Sequence, residues 1–396
     1  MNNSKCNVCG SKLQEYLDLG NHPCADTFLK KKSTAIKINK YPLKVGYCKC
    51  HHLSAVHLIS GHERYNKYDY SYTSDNSPVS INHFKNIAFK ISKKYLSQKK
   101  NKIIEIASND GTFLNILKKI QKINEVGVDP SSLMTELAKK KGIKTEKLYF
   151  SDKNAKYLLN KYGKFNVIYG ANVFNHIDDP YNFLSGCKKL LTHEGILILE
   201  FPDLDQLFKK KSFDTIYHEH RNYYSKKSII KIFKKINIRI LKFEKLEYMS
   251  GSLRVYAKNS KFKKFNTKIK TGKQNLKGFL KFKRDVFNIK KKLVNFVKEK
   301  KIENKIIAGL GAATKGNTLL NFCKLNYKNI KFILETSKLK IGKFTPGSAI
   351  PIINESKKPL FDVLIILPWN INKYLKQKIK KWNVEVLSLE DIIKNI

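Results

Sequence analysis

Between residues 102 and 201, short apolar runs alternate with segments of helical spacing, and that alternation limits what the chain can fold into. "NKIIEIASNDG" is an apolar strand ending in small polar residues, and "TFLNILKKIQK" follows with helical spacing. "NEVGVDPSS" is a short strand ending at Asp129, and "SSLMTELAKKKG" is a helix with serine caps and a terminal glycine. "KFNVIYGANVF" and "GILILEF" are two more buried strands, separated by the helical "DPYNFLSGCKKLL". Such alternation predicts an α/β fold with a parallel, doubly wound sheet. Two β-rich runs follow, "INIRILKFEKLEYM" and "SGSLRVYAK". Apolar residues then recur every three to four positions through the basic stretch 261–301, which predicts a long amphipathic helix. "NKIIAGLGAATKGNTLLNF" repeats the strand, glycine-rich turn and helix, and "NIKFILET" and "FDVLIILPW" are further buried strands. A second, smaller Rossmann-like α/β domain is expected there. The expected units are residues 1–64, 65–258 and 259–396.

The first unit gathers Cys6, Cys9, Cys24, Cys48 and Cys50, with His51 and His52 beside the last pair. Cys6 and Cys9 form a C-x-x-C knuckle, and "CKCHH" supplies a second cluster. Two such clusters can close a tetrahedral structural zinc site. Cys6, Cys9 and Cys50 are the expected ligands, with Cys48 or His51 as the fourth. Seven cysteines, an odd number, do not look like a disulfide framework, and a reducing cytoplasm is the plain reading. The opening "MNNSKCNVCG" lacks the apolar core of a signal peptide, and no apolar run approaches the ~20 residues of a membrane span.

The formal charge of +46 raises nucleic acid as a partner. The kind of charge argues against it. Arg64, Arg221, Arg239, Arg254 and Arg284 are the only arginines, whereas base readers favour arginine for bidentate contacts. A zinc-containing nucleic-acid-binding protein therefore stays as the alternative of another class, and no nucleic-acid partner is expected. The sequence gives no oligomeric state.

Both glycine-rich turns sit where open α/β sheets bind ligands, at strand carboxyl ends. "ASNDGTF" has one glycine, which serves a dinucleotide pyrophosphate poorly and suits S-adenosylmethionine. Asp129 is placed for ribose hydroxyls, since a carboxylate accepts two hydrogen bonds from a diol. Together these features predict a class I methyltransferase. In "GLGAATKGNT", Lys315 precedes Gly316 and no GK[ST] follows, so it is not a Walker A loop. Backbone amides opening a helix still favour an anion there. Lys315, Asn317 and Arg254 are the candidates for a sugar-nucleotide diphosphate.

"IYHEHRNYYS", residues 216–225, packs two histidines, a glutamate and three tyrosines into ten positions. A metal site, an acid–base site and a hydrogen-bonded structural loop are all open readings. The metal reading is the weaker, since histidines two apart leave a helix on nearly opposite sides.

These motifs, in this order, resemble those of the sugar C-methyltransferases that act on nucleotide-linked deoxysugars. The resemblance spans nearly the whole chain. The cysteine clusters look like the family's zinc domain. "EIASNDGTFL" and "GVDPS" resemble its S-adenosylmethionine loops. "ANVFNHIDD", "IYHEHRNYYS" and "GSLRVY" look like its central signatures. "GAATKGNTLLN", "GKFTPGSAIPI" and "DVLIILPWN" resemble its C-terminal domain. Two departures stand out: the second cysteine pair usually reads C-x-x-C, and before "GKFTPG" the family carries an aspartate where this chain has "LETSKLK". The resemblance implies cofactor contacts from Glu105, Ser108, Asn109, Asp110, Gly111, Asp129, Pro130 and Asn172. It implies catalytic roles for Tyr217, Glu219, His220 and His176, and for a tyrosine of "YDYSYTS", Tyr72 in preference to Tyr70, which is left as a substrate contact.

The implied substrate is a dTDP- or GDP-linked ketosugar. C-methylation needs a carbon-bound proton removed beside a ketone, so the protein must supply a base and a donor for the enolate oxygen. His220 is the expected base, because imidazole titrates near neutral pH. Glu219 is expected to hold or polarise it or to meet the sugar, and Tyr217 to donate to the oxygen. An O- or N-methyltransferase would need a base but no enolate machinery.

Overall fold

The structure, a computed structural model, describes residues 5–65, 67, 71–96, 101–259, 276–357 and 359–394. In chain order the strands are β1 (Gln14–His22), β2 (Tyr41–Cys48), β3 (His52–Ala55), β4 (Lys102–Ile106), β5 (Asn124–Asp129), β6 (Thr145–Lys147), β7 (Phe165–Ala171), β8 (Leu191–Pro202), β9 (Asn222–Tyr224), β10 (Ile238–Leu246), β11 (Ser252–Asn259), β12 (Ile307–Leu310), β13 (Ile333–Glu335), β14 (Ile352–Asn354), β15 (Val363–Ile366) and β16 (Glu385–Ser388). Among the described residues they form three sheets, in the orders β1-β2-β3-β9, β10-β11-β8-β7-β4-β5-β6 and β14-β13-β12-β15-β16.

The central sheet is parallel from β8 through β7, β4 and β5 to β6. β11 then adds to β8 antiparallel, and β10 to β11. The expected parallel, doubly wound sheet is present, and the two β-rich runs close its edge as an antiparallel hairpin. A short connection, a 3₁₀ turn over Tyr248–Ser250, cannot make the long crossover that parallel neighbours need. Ile104, Ile106, Val128, Ile168, Leu197 and Leu199 are fully buried, as strands covered by helices on both faces must be. Each such side chain contributes roughly 1.5–3 kcal/mol. The flanking helices begin where short polar side chains take up their first amides. Ser131 caps Ser132–Lys140 through the Met134 amide, and Asp179 caps Pro180–Leu190 through the Tyr181 and Asn182 amides.

The C-terminal sheet is parallel throughout. The amphipathic helix runs Leu276–Ile302, and the first part of the expected stretch lies outside the described residues. Its buried Phe279, Phe282 and Val286 share one core with Tyr16, Leu17 and Leu43 of the first sheet and with Ile333 and Ile365 of the third. The zinc-domain sheet and the C-terminal domain thus meet directly, and a single cavity of about 620 Å³ is walled by residues of all three units.

One strand crosses the expected boundaries. β9, which directly follows "YHEHR", pairs with β3 of the N-terminal sheet, Leu53 opposite Tyr223.

Candidate active site

The four sulfurs of Cys6, Cys9, Cys48 and Cys50 lie within 4.8 Å of one another, the one such group among the described residues. Cys6 and Cys50 are 3.6 Å apart, and Cys9 and Cys48 3.3 Å. A zinc tetrathiolate with ~2.3 Å bonds sets its sulfurs about 3.8 Å apart, so these residues fit the metal. The Cys50 thiol beside it holds Cys6 below the usual thiol range, towards the thiolate that a metal needs. His51 is not in the group. It turns away at φ 59° with its amide on the Cys48 carbonyl, so the open choice of fourth ligand falls to Cys48. The one-residue spacer is accommodated by that left-handed turn. Cys24 is buried apart from the cluster.

The turn after β4 carries Ala107, Asn109 and Gly111 at positive φ. Asp129 ends β5 beside it. Its Oδ2 accepts from the Asn109 amide and its Oδ1 from the Ser131 amide, both at 2.9 Å. Each oxygen keeps a lone pair for a diol, and burial pushes the group up to about 6. Asn109, Asp129, Pro130 and Asn172 line the cavity. Glu105, Ser108, Asp110 and Gly111 do not. Glu105 is buried inside β4, where burial and the neighbouring Asp110, Asp129 and Glu200 raise it well above the usual carboxyl range. Ser108 is packed on β5, where a Cβ on Gly127 would come within 2.5 Å of its hydroxyl. Asp110 pairs with Lys141 at 2.6 Å. Gly111 stands at φ 73°, and a Cβ there would sit 3.1 Å from that of Ala138, so backbone strain and close helix packing both disfavour a side chain.

Across the cavity stand Tyr217, Glu219 and His220, with His176 from the 3₁₀ turn after β7. His218 is not in the lining; its ring meets Tyr41 edge-on at 6.1 Å. His220 packs against Tyr217, ring centroids 3.9 Å apart, and against His176 at 4.8 Å. Its Nδ1 lies 2.8 Å from the Thr215 carbonyl oxygen. A carbonyl only accepts, so Nδ1 carries the proton and Nε2 the lone pair. Burial and the neighbouring His176 hold His220 well below the usual histidine range, which keeps it neutral. His176 is held down to about 3 by burial and Arg64, and its Nδ1 lies 2.7 Å from the Tyr65 hydroxyl, leaving Nε2 to a ligand.

Glu219 does not hold His220. Its Oε1 accepts from the Asp26 amide at 3.1 Å, while Oε2 is buried with no partner among the described residues. Burial pushes the group up to about 7. Tyr72 lines the cavity beside Tyr248 and Tyr217, and burial raises it well above the usual phenol range, so it stays a donor. Tyr70 lies outside the described residues.

The diphosphate candidates do not come together. Arg254 is buried in β11, 2.7 Å from Glu200 and 2.9 Å from Glu244, and does not line the cavity. Asn317 donates to the Ala25 carbonyl at 2.7 Å, tying the N-terminal unit to the C-terminal one. Lys315 does line the cavity, with Nζ 2.9 Å from the Ser250 hydroxyl. Two residues to which the sequence motifs do not point organise the site. Asp26 accepts from the Ser71 and Tyr72 amides at 2.9 and 3.1 Å and from the Thr314 hydroxyl at 2.9 Å, so one carboxylate joins all three units. Tyr248 stacks on His83 at 3.9 Å and hydrogen-bonds Ser80 at 3.1 Å. An aspartate in a loop has no periodicity or spacing to announce it.

Residues 6–65 match a zinc binding domain model, residues 83–242 a methyltransferase domain, and residues 248–386 the C-methyltransferase C-terminal domain. The C-methyltransferase NovU of Streptomyces niveus is 27% identical over 381 residues, covering 92% of this chain and 90% of NovU. The chain is an S-adenosylmethionine-dependent C-methyltransferase. Of the activities the sequence left open, C-methyl transfer is the one these matches support. S-adenosylmethionine and zinc are the C-methyltransferase's cofactors, and the residues around Asp129 and the four cysteines fit them. Among solved structures, an S-adenosylmethionine-dependent methyltransferase from Clostridium acetobutylicum ATCC 824 is 18% identical with a TM-score of 0.37, covering 46% of this chain and 92% of its own. The PH0226 protein from Pyrococcus horikoshii OT3 is 17% identical with a TM-score of 0.38, covering 48% and 95%. No helix among the described residues is long and apolar enough to cross a membrane.

Proposed function

We propose that this C-methyltransferase acts on the carbon beside the keto group of an NDP-4-keto-deoxysugar, through a base-generated enolate, in the synthesis of branched sugars. The observation that carries this reading is the state of His220. His220 lines the same cavity as Asp129, and its Nδ1 proton is fixed on Thr215, which leaves Nε2 as the base. Burial keeps the ring neutral but makes it a weaker base than the near-neutral imidazole expected from the sequence.

Asp129 holds the cofactor's ribose, with Asn109, Pro130 and Asn172 around it. The cofactor supplies an electrophilic methyl group. His220 Nε2 takes the proton from the sugar carbon. Tyr217 and Tyr72, held protonated, and His176 Nε2 are the donors for the negative oxygen that forms. The unpartnered Glu219 Oε2 accepts a sugar hydroxyl. The zinc thiolates are structural, since four protein ligands leave no open position, and reduced cysteines support a cytoplasmic setting. Turnover with S-adenosylmethionine and a panel of dTDP- and GDP-4-keto-6-deoxysugars, read by mass spectrometry, tests the substrate class. A new carbon-bound methyl on one of them is expected. Methyl transfer confined to oxygen or nitrogen would contradict the proposal.

A further inference from the structure

The motif "DVLIILPWN" holds a tryptophan that no step described above uses. Trp369 opens a 3₁₀ turn after β15, and Pro368 before it packs so closely on Gly311 that a Cβ on that glycine would come within 2.7 Å. The indole Nε1 donates to Asp214 Oδ2 at 2.6 Å, across 155 positions of sequence. Asp214 is fully buried in the 3₁₀ turn Phe213–Thr215, and its Oδ1 has no partner among the described residues. Phe213 ties the same turn to the C-terminal unit a second time, its ring meeting Phe322 edge-on at 5.3 Å. Thr215 ends the turn, and its carbonyl oxygen lies 2.8 Å from Nδ1 of His220. Thr215 and His220 line the cavity; Asp214 and Trp369 do not.

Trp369 and Asp214 can therefore act only through what they hold. A buried acceptor that loses its donor must shift to find another, and Asp214 can shift only with the turn that carries Thr215. The Lys315 ammonium, 6.0 Å from the Trp369 ring, is committed to the Ser250 hydroxyl at 2.9 Å, so the indole is the side-chain donor to Asp214. We propose that Trp369 is a positioning residue for methyl transfer: through Asp214 it holds the Thr215 carbonyl where that carbonyl fixes the tautomer and direction of His220. A ring with its proton on Nε2 has no lone pair there to accept a proton. The base thus comes from the methyltransferase unit, and the residue that sets it comes from the C-terminal unit. The expected effect on rate rests on reading His220 as the base; the effect on its tautomer does not.

Trp369→Phe keeps an aromatic ring and removes the N–H. ¹⁵N-histidine spectra of the zinc-loaded full chain tell a protonated ring nitrogen from a bare one, and His220→Gln identifies the His220 signals. Wild type is expected to carry the proton on Nδ1 alone. In Trp369→Phe both tautomers should be populated. Its kcat, with the NDP-4-keto-6-deoxysugar that turns over best, should fall about tenfold to a hundredfold, the cost of a small misplacement. KM and S-adenosylhomocysteine affinity should stay within about twofold, as for a loss felt in the transition state. Asp214→Ala should reproduce these effects, and Asp214→Asn, which keeps an acceptor for the indole, should recover most of the lost rate. Combining Trp369→Phe with Asp214→Ala should cost little more than either change alone, because both cut the same link. A lowered melting temperature with the tautomer and kcat of wild type would reduce Trp369 to a packing residue and overturn the inference. Additive losses in the double variant would do the same. Mixed tautomers with an unchanged kcat would uphold the placement by Trp369 and count instead against His220 as the base.

Discussion

The Nδ1 atom of His220 lies 2.8 Å from the carbonyl oxygen of Thr215, and that contact fixes which nitrogen can act as base. It also predicts a titration. Burial and the adjacent His176 hold His220 well below the ordinary histidine range, so the ring remains neutral through mildly acidic pH. In a ¹³C-histidine spectrum, the resonance lost in His220→Gln should not move between pH 8 and pH 6. A midpoint near 6.5 would mean that the ring is open to water and that its tautomer is unfixed.

Glu219 gives an opposite signature in stability. Burial raises it from 4.5 to about 7 in the folded protein. The folded state therefore binds more protons than the unfolded state between those values, and stability falls as pH rises through them. Glu219→Gln removes that dependence. At pH 8 the variant should be more stable by up to about 3 kcal/mol, because each pH step between the two values changes stability by roughly 1.4 kcal/mol. No gain is expected at pH 4. Its methyl-transfer rate should fall at both. Denaturant melts at the two pH values check this, and equal stability at pH 8 would show that the carboxylate is solvated.

Much of this was legible from the residue order. Strand-length apolar runs separated by capped helical segments announced β4, β5, β7 and β8, because burial on both faces leaves few polar positions. Cysteine spacing announced the cluster. What failed was what depends on three-dimensional closure. β6 (Thr145–Lys147) and the helix Asp152–Tyr162 carry too few apolar residues to stand out from a surface connection. Arg254 reads as a free cation in a motif, yet Glu200 and Glu244 come to it from other strands. Gly111 reads as a cofactor glycine, yet its neighbour is Ala138. Asp26 has a local sequence that distinguishes it from no other acidic residue; only the folded loops give it partners.

The cysteine cluster should hold one zinc per chain. Cys48→Ser should lose metal and lower the melting temperature, whereas His51→Ala and Cys24→Ser should retain it. Because β9 hangs on β3 beside the cluster, with Asn222 hydrogen-bonded to His52 at 3.1 Å, stripping the metal should also reduce methyl transfer. Metal analysis and melting curves on the purified variants decide. Full activity in a metal-free preparation would separate the domain from the site.

The two ends of the cofactor turn should respond differently. Asp129→Ala should weaken S-adenosylhomocysteine binding about tenfold or more through the lost diol contacts. Gly111→Val should instead lower the melting temperature, because its side chain meets Ala138 and Ile143. Cofactor affinity measured on the folded fraction should change little. A large affinity loss without destabilisation in Gly111→Val would place that glycine against the cofactor after all.

The chemistry proposed for the cavity turns on His220 removing a carbon-bound proton. Wild-type enzyme is incubated in D2O with an NDP-4-ketosugar and S-adenosylhomocysteine, which cannot give up a methyl group, and deuterium is followed by NMR. Deuterium is expected at the single carbon that is methylated in the complete reaction. His220→Ala should slow that exchange by roughly 10²–10⁴-fold. The same sugar reduced to the alcohol should neither exchange nor accept a methyl group. Exchange at the wild-type rate in His220→Ala, or methylation of the alcohol on oxygen, would overturn the role given to His220.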